Sequence, residues 1–383
     1  MAIILNGSTG VATPAVTDAS GGNTSTINGV VVAVDNYIGM RNRIINGDMR
    51  IDQRNVGASV TANDGYITVD RWKFNSTQNG KGTIQRSTVA PPGFTNSLLF
   101  TSTSAYSVLS SDLIDIQCRL EGFNMADLGW GTAGAQAVTL SFWVRSSLTG
   151  TFGGAVRSGG GSARSYPFSY TINSANTWEQ KTITVPGDTS GTWATDNTQW
   201  GSIQFGLGDG STYSGTAGVW ASATYTNSTG ATSVVGTNGA TFYITGVQLE
   251  VGSVATPFER RPYGTELMLC QRYFYKWESG IDNNILCVAQ AYASTAVIGK
   301  FLDFPVSMRV APSVTWSSAS DWAAWNSSGS GTAAFSNTPS GFQASKNSLG
   351  TASGWGGTSG LTAGNAVSIR ANINASISMS SEL

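Results

Sequence analysis

Short alternations of apolar and polar residues fill most of this chain, with clusters of glycine, asparagine and aspartate between them. Residues 138–144, VTLSFWV, show the pattern most clearly, because every second side chain is apolar and would lie on one face of a strand. The apolar positions of that face are Val138, Leu140, Phe142 and Val144. Period-two patterning recurs throughout residues 41–262 and predicts an all-β fold, a sandwich or barrel, with residues 138–144 in a central core strand.

One stretch departs from this pattern. Residues 264–277, GTELMLCQRYFYKW, place Leu267, Cys270 and Phe274 at helical spacing, with Glu266 in the first turn. Two prolines precede the stretch and would end the strand before it. The sequence therefore predicts a short linker helix between two β regions.

These changes of pattern divide the chain into four segments. Residues 1–40 mix short apolar runs with glycine, serine, threonine and asparagine, and contain too little apolar surface to form a core alone. We expect an extended N-terminal segment there, ordered by neighbouring copies or by a partner. Residues 41–262 predict the sandwich, 263–277 the linker helix, and 278–383 a smaller C-terminal β domain. Deletion of residues 277–383 is therefore expected to leave a folded sandwich.

Charged residues make up only 11% of the chain, yet they are concentrated where the sandwich is predicted to end. The residues of this junction are Glu259, Arg260, Arg261, Glu266, Arg272 and Phe274. Opposite charges fix the register of two contacting surfaces while adding little net stability. The junction is therefore predicted to carry contacts between three copies of the chain.

The sequence contains no histidine, which excludes Ser–His–Asp and Cys–His catalysis and removes the commonest zinc ligand. A net charge of −1 offers no basic face for nucleic acid. The N-terminus lacks a secretory signal, and no apolar run is long enough to cross a bilayer. We expect a chain made in the cytoplasm, with no cofactor, no nucleic-acid partner and no membrane insertion.

Carboxylates leave two alternatives open. A pair of Asp or Glu side chains at a suitable separation can cleave sugar chains, although most surface carboxylates only solvate the fold. Asp196 and Asp209 lie in loop sequences rich in polar residues and could donate oxygens to a structural calcium ion. Neither matches a defined calcium loop, so we predict neither a metal site nor an enzyme.

Aromatic residues in or beside predicted loops are candidates for sugar binding. Exposed rings stack on the apolar faces of sugars, although the same rings also fill cores and interfaces. The candidates are Trp193, Trp200, Tyr213, Trp220, Trp322, Trp325 and Trp355.

Four motifs carry a resemblance to a known family. They are RNRIINGDMRIDQRN at 41–55, DRW at 70–72, LSFWVRSS at 140–147 and FYITGVQLEVGSVATPFERRPYGTELMLCQRYF at 242–274. Together they resemble a module that recurs in tail fibres and other tail-associated proteins of tailed bacteriophages. In that family the first and last motifs frame a jelly-roll sandwich similar to carbohydrate-binding modules. The resemblance covers residues 41–276.

The resemblance implies a homotrimer on the virion tail. Residues 1–40 would attach to other tail or baseplate proteins, and residues 278–383 would form the tip that faces the host. It implies adsorption through host surface polysaccharide, either lipopolysaccharide or capsule, and it implies no catalytic residues. The main alternative is a purely structural virion component, such as a fibre adaptor or decoration protein. The second is a depolymerase that cuts the glycan it binds.

Overall fold

The structure, a computed structural model, describes residues 24–27, 30–33, 40–326, 331–339, 342–351 and 355–383. Most of the segment predicted to attach to the virion lies outside these ranges. Its described part is an antiparallel pair of strands, β1 (Thr24–Ile27) and β2 (Val30–Ala33). Nearly all regular structure in the described residues is β, which confirms the predicted fold class. No helix in these ranges has the length and apolar character needed to cross a bilayer.

The next part of the chain folds into a jelly-roll β-sandwich. Its strands are β3 (Val60–Thr61), β4 (Trp72–Ser76), β5 (Gly82–Ser87), β6 (Ser97–Ser102), β7 (Ile114–Glu121), β8 (Val138–Ser146), β9 (Gly150–Ser158), β10 (Ser165–Ile172), β11 (Glu179–Val185), β12 (Gln199–Gly206), β13 (Ser214–Gly215), β14 (Asn227–Ser228) and β15 (Thr241–Val251). One sheet has five strands in the order β10-β9-β12-β7-β4, and the other has six in the order β11-β8-β15-β6-β5-β3. All neighbours in both sheets are antiparallel, and β13 pairs with β14 in a small parallel sheet.

The sandwich core lies between these two sheets. The four apolar side chains predicted to face it from β8 are fully buried, so that prediction is confirmed. β15 lies between β8 and β6, and its pairing with β8 shifts register between Thr245 and Gln248. Gly246 occupies the shift with a φ of 62°, and a Cβ there would lie 2.7 Å from the Phe94 ring. Glycine is needed here because both the left-handed conformation and the close approach exclude a side chain.

The C-terminal part of the chain has a hydrophobic core of its own, drawn from residues 289–379. Its strands are β16 (Phe274–Glu278), β17 (Asn284–Ala293), β18 (Ala296–Ile298), β19 (Lys300–Asp303), β20 (Ser313–Trp316), β21 (Trp322–Trp325), β22 (Gly331–Ala334), β23 (Phe342–Ala344), β24 (Ser348–Thr351), β25 (Trp355–Gly356), β26 (Ala366–Ala371) and β27 (Ser376–Ser380). They form a six-stranded sheet, β22-β21-β26-β17-β18-β25, and two three-stranded sheets, β16-β27-β20 and β19-β24-β23. Short 3-10 helices occur at Gly122–Asn124, Ala126–Leu128, Ser211–Tyr213 and Ala319–Asp321.

One α-helix, α1 (Tyr263–Gln271), connects the two parts. A linker helix is confirmed, but its predicted extension to residue 277 is wrong, because β16 begins at Phe274. Residues 274–278 pair with β27 along their whole length. The aromatic residues in this stretch favour a strand, and the pairing satisfies their backbone groups. Cys270 and Phe274 therefore belong to two different elements, and their helical spacing does not mark one continuous helix.

The two motifs that frame the sandwich contact each other directly. The carboxylate of Glu259 accepts hydrogen bonds from the backbone N–H groups of Arg41 at 3.0 Å and Asn42 at 2.8 Å. The Asn42 side chain donates to the Val247 carbonyl at 3.1 Å and accepts from the Leu249 N–H at 3.0 Å. The first framing motif, residues 41–55, is thereby hydrogen-bonded to the backbone of β15, the last strand of the sandwich.

A buried ion pair continues this contact. Arg261 and Glu266 are both buried, and the Arg261 Nη1 lies 3.2 Å from the Glu266 Oε1. Arg261 also donates to the backbone carbonyl of Asn42, and Glu266 accepts from the Asn46 N–H at 2.5 Å. These charges were predicted to contact other copies. Their burial requires partners close by, and the structure supplies those partners within one chain.

Two more of the residues predicted to contact other copies have partners within the chain. Arg272 donates two hydrogen bonds to the buried Glu121 carboxylate, at 3.0 and 2.5 Å, and Phe274 is buried beneath the guanidinium of Arg54. Arg260 is exposed, with its guanidinium carbon 4.6 Å from the centre of the Phe94 ring. Of the six junction residues, Arg260 is the most exposed, and the Arg272 side chain is 32% exposed. The trimer itself stays a prediction.

Glu382 joins the C-terminal part to the sandwich. Its carboxylate accepts from Arg54 Nη2 at 3.1 Å and from Arg71, which is fully buried. Its backbone carbonyl accepts from Arg309 at 2.8 Å, and Arg309 also donates to the Asn197 carbonyl of the sandwich at 3.0 Å. Deletion of residues 277–383 would remove the carboxylate partner of a buried arginine. The boundary near residue 262 stays a prediction, and a sandwich without residues 277–383 would have to hydrate Arg71 or bury it against other groups.

Loss of the Glu382 charge should therefore be costly. We expect Glu382→Gln to lower the free energy of unfolding by about 3–5 kcal/mol, because Arg71 loses its buried counter-charge and Arg54 keeps only Asp70. The matched control is Glu278→Gln, which removes an exposed carboxylate paired with Lys276 and should cost less than about 1 kcal/mol. Urea-induced unfolding at pH 7 measures both. Equal, small losses in the two variants would contradict a role for Glu382 in joining the parts.

The outer face of the five-stranded sheet is polar, yet it is covered. Asp115, Gln117 and Gln204 lie on this face and are buried. The β14 segment lies against it, since a Cβ at Gly153 would meet the Asn227 and Ser228 side chains at 2.2 Å. Burial raises the pKa of Asp115 to about 7. Burial first, and then the nearby charge of Asp115, raise the pKa of Asp209 well above its ordinary value.

These raised pKa values predict that stability falls as pH rises from about 4 to about 7, because the folded chain then holds protons that the unfolded chain has released. We expect Asp115→Asn to flatten this dependence and to be more stable than the parent at pH 8, by roughly 1.4 kcal/mol for each unit of raised pKa. Urea unfolding at pH 5 and pH 8 tests it, with the exposed Asp303→Asn as the control. An Asp115→Asn variant that keeps the parent's slope would show that this carboxyl is ionised in the fold.

Candidate functional site

Four of the seven aromatic residues predicted to contact sugar lie in the cores. They are Trp193, Trp200, Trp322 and Trp355. Trp200, Trp322 and Trp355 belong to β12, β21 and β25. Alternation turns Trp322 inward, whereas Trp200 lies at the point where the pairing of β12 with β7 shifts register. The ring centres of Trp193 and Trp200 are 4.5 Å apart, and those of Trp322 and Trp355 are 5.9 Å apart. These four predictions are corrected, because a ring enclosed by other rings has no free face for a sugar.

Two further candidates, Tyr213 and Trp220, are half-buried in the sandwich. The Trp220 Nε1 donates to the Pro186 carbonyl at 2.9 Å, and the guanidinium of Arg164 lies 5.6 Å from its ring centre. Arg164 is itself held by two hydrogen bonds to Asp188, at 2.8 and 2.6 Å. Trp220 is thus fixed in a satisfied network, and neither residue lines the two open cavities described next.

Trp325 lines an open cleft of about 200 Å³ in the C-terminal part. The turn before β17, the 3-10 helix before β21, and the end of β26 meet there. The residues that line it are Asp282, Asn283, Ser320, Asp321, Trp322, Ala323, Trp325, Arg370, Ala371 and Asn372. The structure therefore brings two of the predicted tryptophans to one site, where Trp322 is buried and Trp325 is half-buried.

Strand alternation explains why Trp325 faces outward. Within β21, Trp322 and Ala324 are buried in the C-terminal core, so Ala323 and Trp325 lie on the opposite face. Trp322 and Trp325 are three positions apart, so alternation places one ring in the core and the other on the outer face.

The neighbouring strand β26 supplies the basic group. Ile369 and Ala371 face the core, which leaves Ser368 and Arg370 on the outer face with Trp325. The register places Ala323 opposite Arg370 and Trp325 opposite Ser368. The Arg370 guanidinium carbon consequently lies 4.1 Å from the centre of the Trp325 ring, in cation–π contact.

Two carboxylates and an amide complete the cleft. Asp321 accepts a hydrogen bond from the Asn372 side chain at 3.0 Å, and Asp282 accepts from the Ile373 N–H at 2.9 Å. A carboxylate can accept several hydrogen bonds, and a guanidinium carries five N–H donors. The Arg370 Nε contacts the Ser368 hydroxyl at 3.4 Å. The cleft thus combines an aromatic ring with acceptors and donors suited to a ligand rich in hydroxyl groups.

A second open groove is larger, at about 560 Å³. It is lined by Gly299, Lys300, Gln343, Ala344, Ser345, Ser348 and Gly350. These described lining residues include no aromatic ring and no carboxylate, so they offer a ligand neither a stacking face nor an anionic acceptor. The smaller cleft is therefore the better candidate site.

The carboxylates of the two calcium candidates accept hydrogen bonds from the chain itself. Asp196 accepts from the Thr198 N–H at 2.9 Å and hydroxyl at 2.6 Å, and Asp209 accepts from the Ile114 N–H at 2.7 Å. Over the part of the chain that the structure describes, no group of three or more Cys, Asp or Glu side chains is placed to hold a metal ion.

The polar residues of the cleft were missed in the sequence. Asp282, Asp321, Arg370 and Asn372 come from three stretches spread over about ninety positions, and none lies in a motif. Only the pairing of β21 with β26 places Arg370 beside Trp325. The alternation of WAAW was the one local signal, since it separates an inward from an outward tryptophan.

No family model and no curated protein matches the chain. Among solved structures, the enzymatically active domain of tailspike protein 4 from bacteriophage CBA120 is 12% identical with a TM-score of 0.32, covering 55% of this chain and 22% of that one. The family 11 carbohydrate-binding module of Clostridium thermocellum, solved with a mixed-linked tetrasaccharide, is 13% identical with a TM-score of 0.26. The match covers 52% of this chain and 97% of that one.

The N-terminal cellulose-binding domain of Cellulomonas fimi β-1,4-glucanase C is 12% identical with a TM-score of 0.26, covering 52% of this chain and 97% of that one. This chain thus spans about a fifth of the tailspike domain and nearly all of the two binding modules. TM-scores of this size carry no inference about the ligand of this chain.

The division between core and surface tryptophans is testable. We expect Trp322→Ala to lower the free energy of unfolding by about 3–5 kcal/mol, because it leaves a cavity among packed rings. Trp325→Ala should cost less, about 1–2 kcal/mol, because its ring lies on the outer face of the sheet and is only half-buried. Urea unfolding of the two variants gives the comparison, and similar losses in both would mean that Trp325 is a packing residue.

Proposed function

We propose that this chain binds glycan in the cleft lined by Trp325, Arg370, Asp282, Asp321 and Asn372. The observation that carries the proposal is the position of a half-buried tryptophan ring, on the outer face of a sheet, beside a guanidinium, two carboxylates and an amide. Binding sites for small polar ligands combine an apolar surface with a few placed polar groups in this way.

Each group has a defined part in such binding. A sugar ring has an apolar face of C–H groups, which packs on the flat face of Trp325. Its hydroxyl groups donate to the carboxylates of Asp282 and Asp321, and accept from the Arg370 guanidinium and the Asn372 amide. The contact of Arg370 with the Trp325 ring fixes the orientation of both side chains before a ligand arrives, which lowers the entropic cost of binding.

We further infer that the chain acts on a phage tail, in adsorption to the surface polysaccharide of a host. The support is the pair of framing motifs, which resemble those of tail fibre modules. In a homotrimer, three shallow clefts would act together, since each bound site raises the effective concentration at the next. Residues 1–40 would attach the fibre to other tail or baseplate proteins, and the C-terminal part would face the host. The chain would be made in the host cytoplasm and carried outside on the virion.

Glycan binding by the unaltered chain and three variants is the test. On an array of bacterial O-antigen and capsular oligosaccharides, we expect the parent to bind at least one glycan. Trp325→Ala should bind that glycan about tenfold more weakly or worse, because it removes the stacking face. Arg370→Met should also weaken binding, because it removes the donors. Phe123→Ala, which removes an exposed ring of the sandwich, is the control and should bind normally.

No binding by the folded parent would favour the purely structural alternative. Normal binding by Trp325→Ala would place the glycan site elsewhere in the chain.

Hydrolysis is the second candidate, because the cleft contains two carboxyl groups and glycosidases act through such a pair. Incubation of the bound glycan with the chain, followed by measurement of new reducing ends, separates binding from cleavage. We expect no increase. An increase that disappears in both Asp282→Asn and Asp321→Asn would make the chain a depolymerase.

A further inference from the structure

We propose that the glycan-binding surface continues from the cleft across the outer face of the six-stranded sheet to Tyr292. The protein would then contact several consecutive sugars of a neutral polysaccharide. This inference rests on the proposed function and assigns a second aromatic contact to it.

The register of three neighbouring strands places the two rings on one surface. Trp325 of β21 lies opposite Ser368 of β26, which lies opposite Val288 of β17. Both Ser368 and Val288 point away from the core, as Trp325 does, since the alternate positions of β26 and β17 are buried. The outer face is thus continuous from the cleft to β17.

Tyr292 extends this face along β17. Gln290 and Tyr292 follow Val288 at alternate positions, while Ala289 and Ala291 are buried in the core. Tyr292 is 67% exposed and Val288 is 70% exposed. From Trp325, two strand spacings lead across to Val288 and four residues lead along β17 to Tyr292, so the backbones of the two residues are about 16 Å apart. That separation exceeds the length of one sugar ring and requires a chain of several.

The chemistry between the rings fits a polysaccharide. The serine hydroxyl of Ser368 and the amide of Gln290 lie between Trp325 and Tyr292, so apolar and hydrogen-bonding groups alternate along the surface. A sugar chain presents the same alternation of C–H faces and hydroxyl groups. The exposed aliphatic side chain of Val288 would contact such a chain without specificity.

The charges of the surface select against acidic sugars. Asp282 and Asp321 contribute two negative charges to the cleft, against one positive charge from Arg370. The strands between the cleft and Tyr292 add no charged residue to this face. A polymer with a carboxylate or phosphate on each repeat would meet net repulsion at the cleft, whereas a neutral polymer would not.

Chain length is the variable that tests the extended surface. A neutral polysaccharide bound by the full chain is cut into disaccharide, tetrasaccharide and hexasaccharide fragments, and each is titrated by calorimetry. We expect affinity to rise about tenfold or more from the disaccharide to the hexasaccharide, because only the longer fragment reaches Tyr292. Tyr292→Ala should abolish that rise and leave disaccharide binding unchanged. Tyr292→Phe should keep the rise, and Phe123→Ala is the control for loss of an exposed ring.

Three outcomes would overturn the proposal. An affinity independent of length, or a rise that survives in Tyr292→Ala, would restrict the site to the cleft. Tighter binding of an acidic than of a neutral hexasaccharide would exclude the assigned class. A change of oligomeric mass in Tyr292→Ala, seen by sedimentation, would make this face an interface between copies of the chain. If the unaltered chain binds no glycan at all, the proposed function fails as well.

Discussion

The burial of charge at one junction is the constraint on which the rest of this structure depends. A chain with so few charged residues places Arg261 and Glu266 inside the fold, where each needs the other and the backbone groups of Asn42 and Asn46. Those backbone groups belong to the entering segment of the sandwich, and the ion pair belongs to its exit. Neither end can be placed without the other, because an unpaired buried charge costs far more than the pair contributes.

The same principle links the sandwich to the C-terminal part. Arg71 is buried in the sandwich, but its counter-charge is Glu382, more than three hundred positions away in sequence. Glu121 of β7 likewise accepts from Arg272 and from the Tyr273 hydroxyl at 2.5 Å, just beyond α1. Charged contacts of this kind fix a register more than they add stability. They set how the C-terminal part of the chain is joined to the sandwich.

Much of the fold could be predicted from local pattern. Alternation alone identified β8 and its four core residues, and the change of period at residue 264 identified α1. The end of α1 was misplaced because Phe274 satisfies both a helical and a strand pattern, and only the pairing with β27 decides between them. The partners of the junction charges within the chain could not be predicted, for a related reason. A cluster of charges in sequence shows that partners are needed, and only the folded chain shows where Asn42, Asn46 and Glu121 lie.

The candidate site was harder to predict than the fold. Local composition favoured loops around Trp200 and Trp355, whereas both rings are enclosed in cores by strands that the sequence leaves ambiguous. Trp325 was among the candidates, but its partner Arg370 comes from a strand forty-five positions later, and only sheet register joins them. Alternation predicts which face a side chain occupies once a strand is known. It does not predict which strands are neighbours, and the cleft depends on that.

The central claim is that glycan binds at the outer surface of the C-terminal sheet, against Trp325. A crystal structure of the chain with a bound oligosaccharide tests it most directly. The account predicts a sugar ring packed on the Trp325 face, with hydroxyl groups within hydrogen-bond distance of Asp321 or Arg370. A sugar bound in the groove beside Lys300 and Gln343, or on the sandwich, would contradict it.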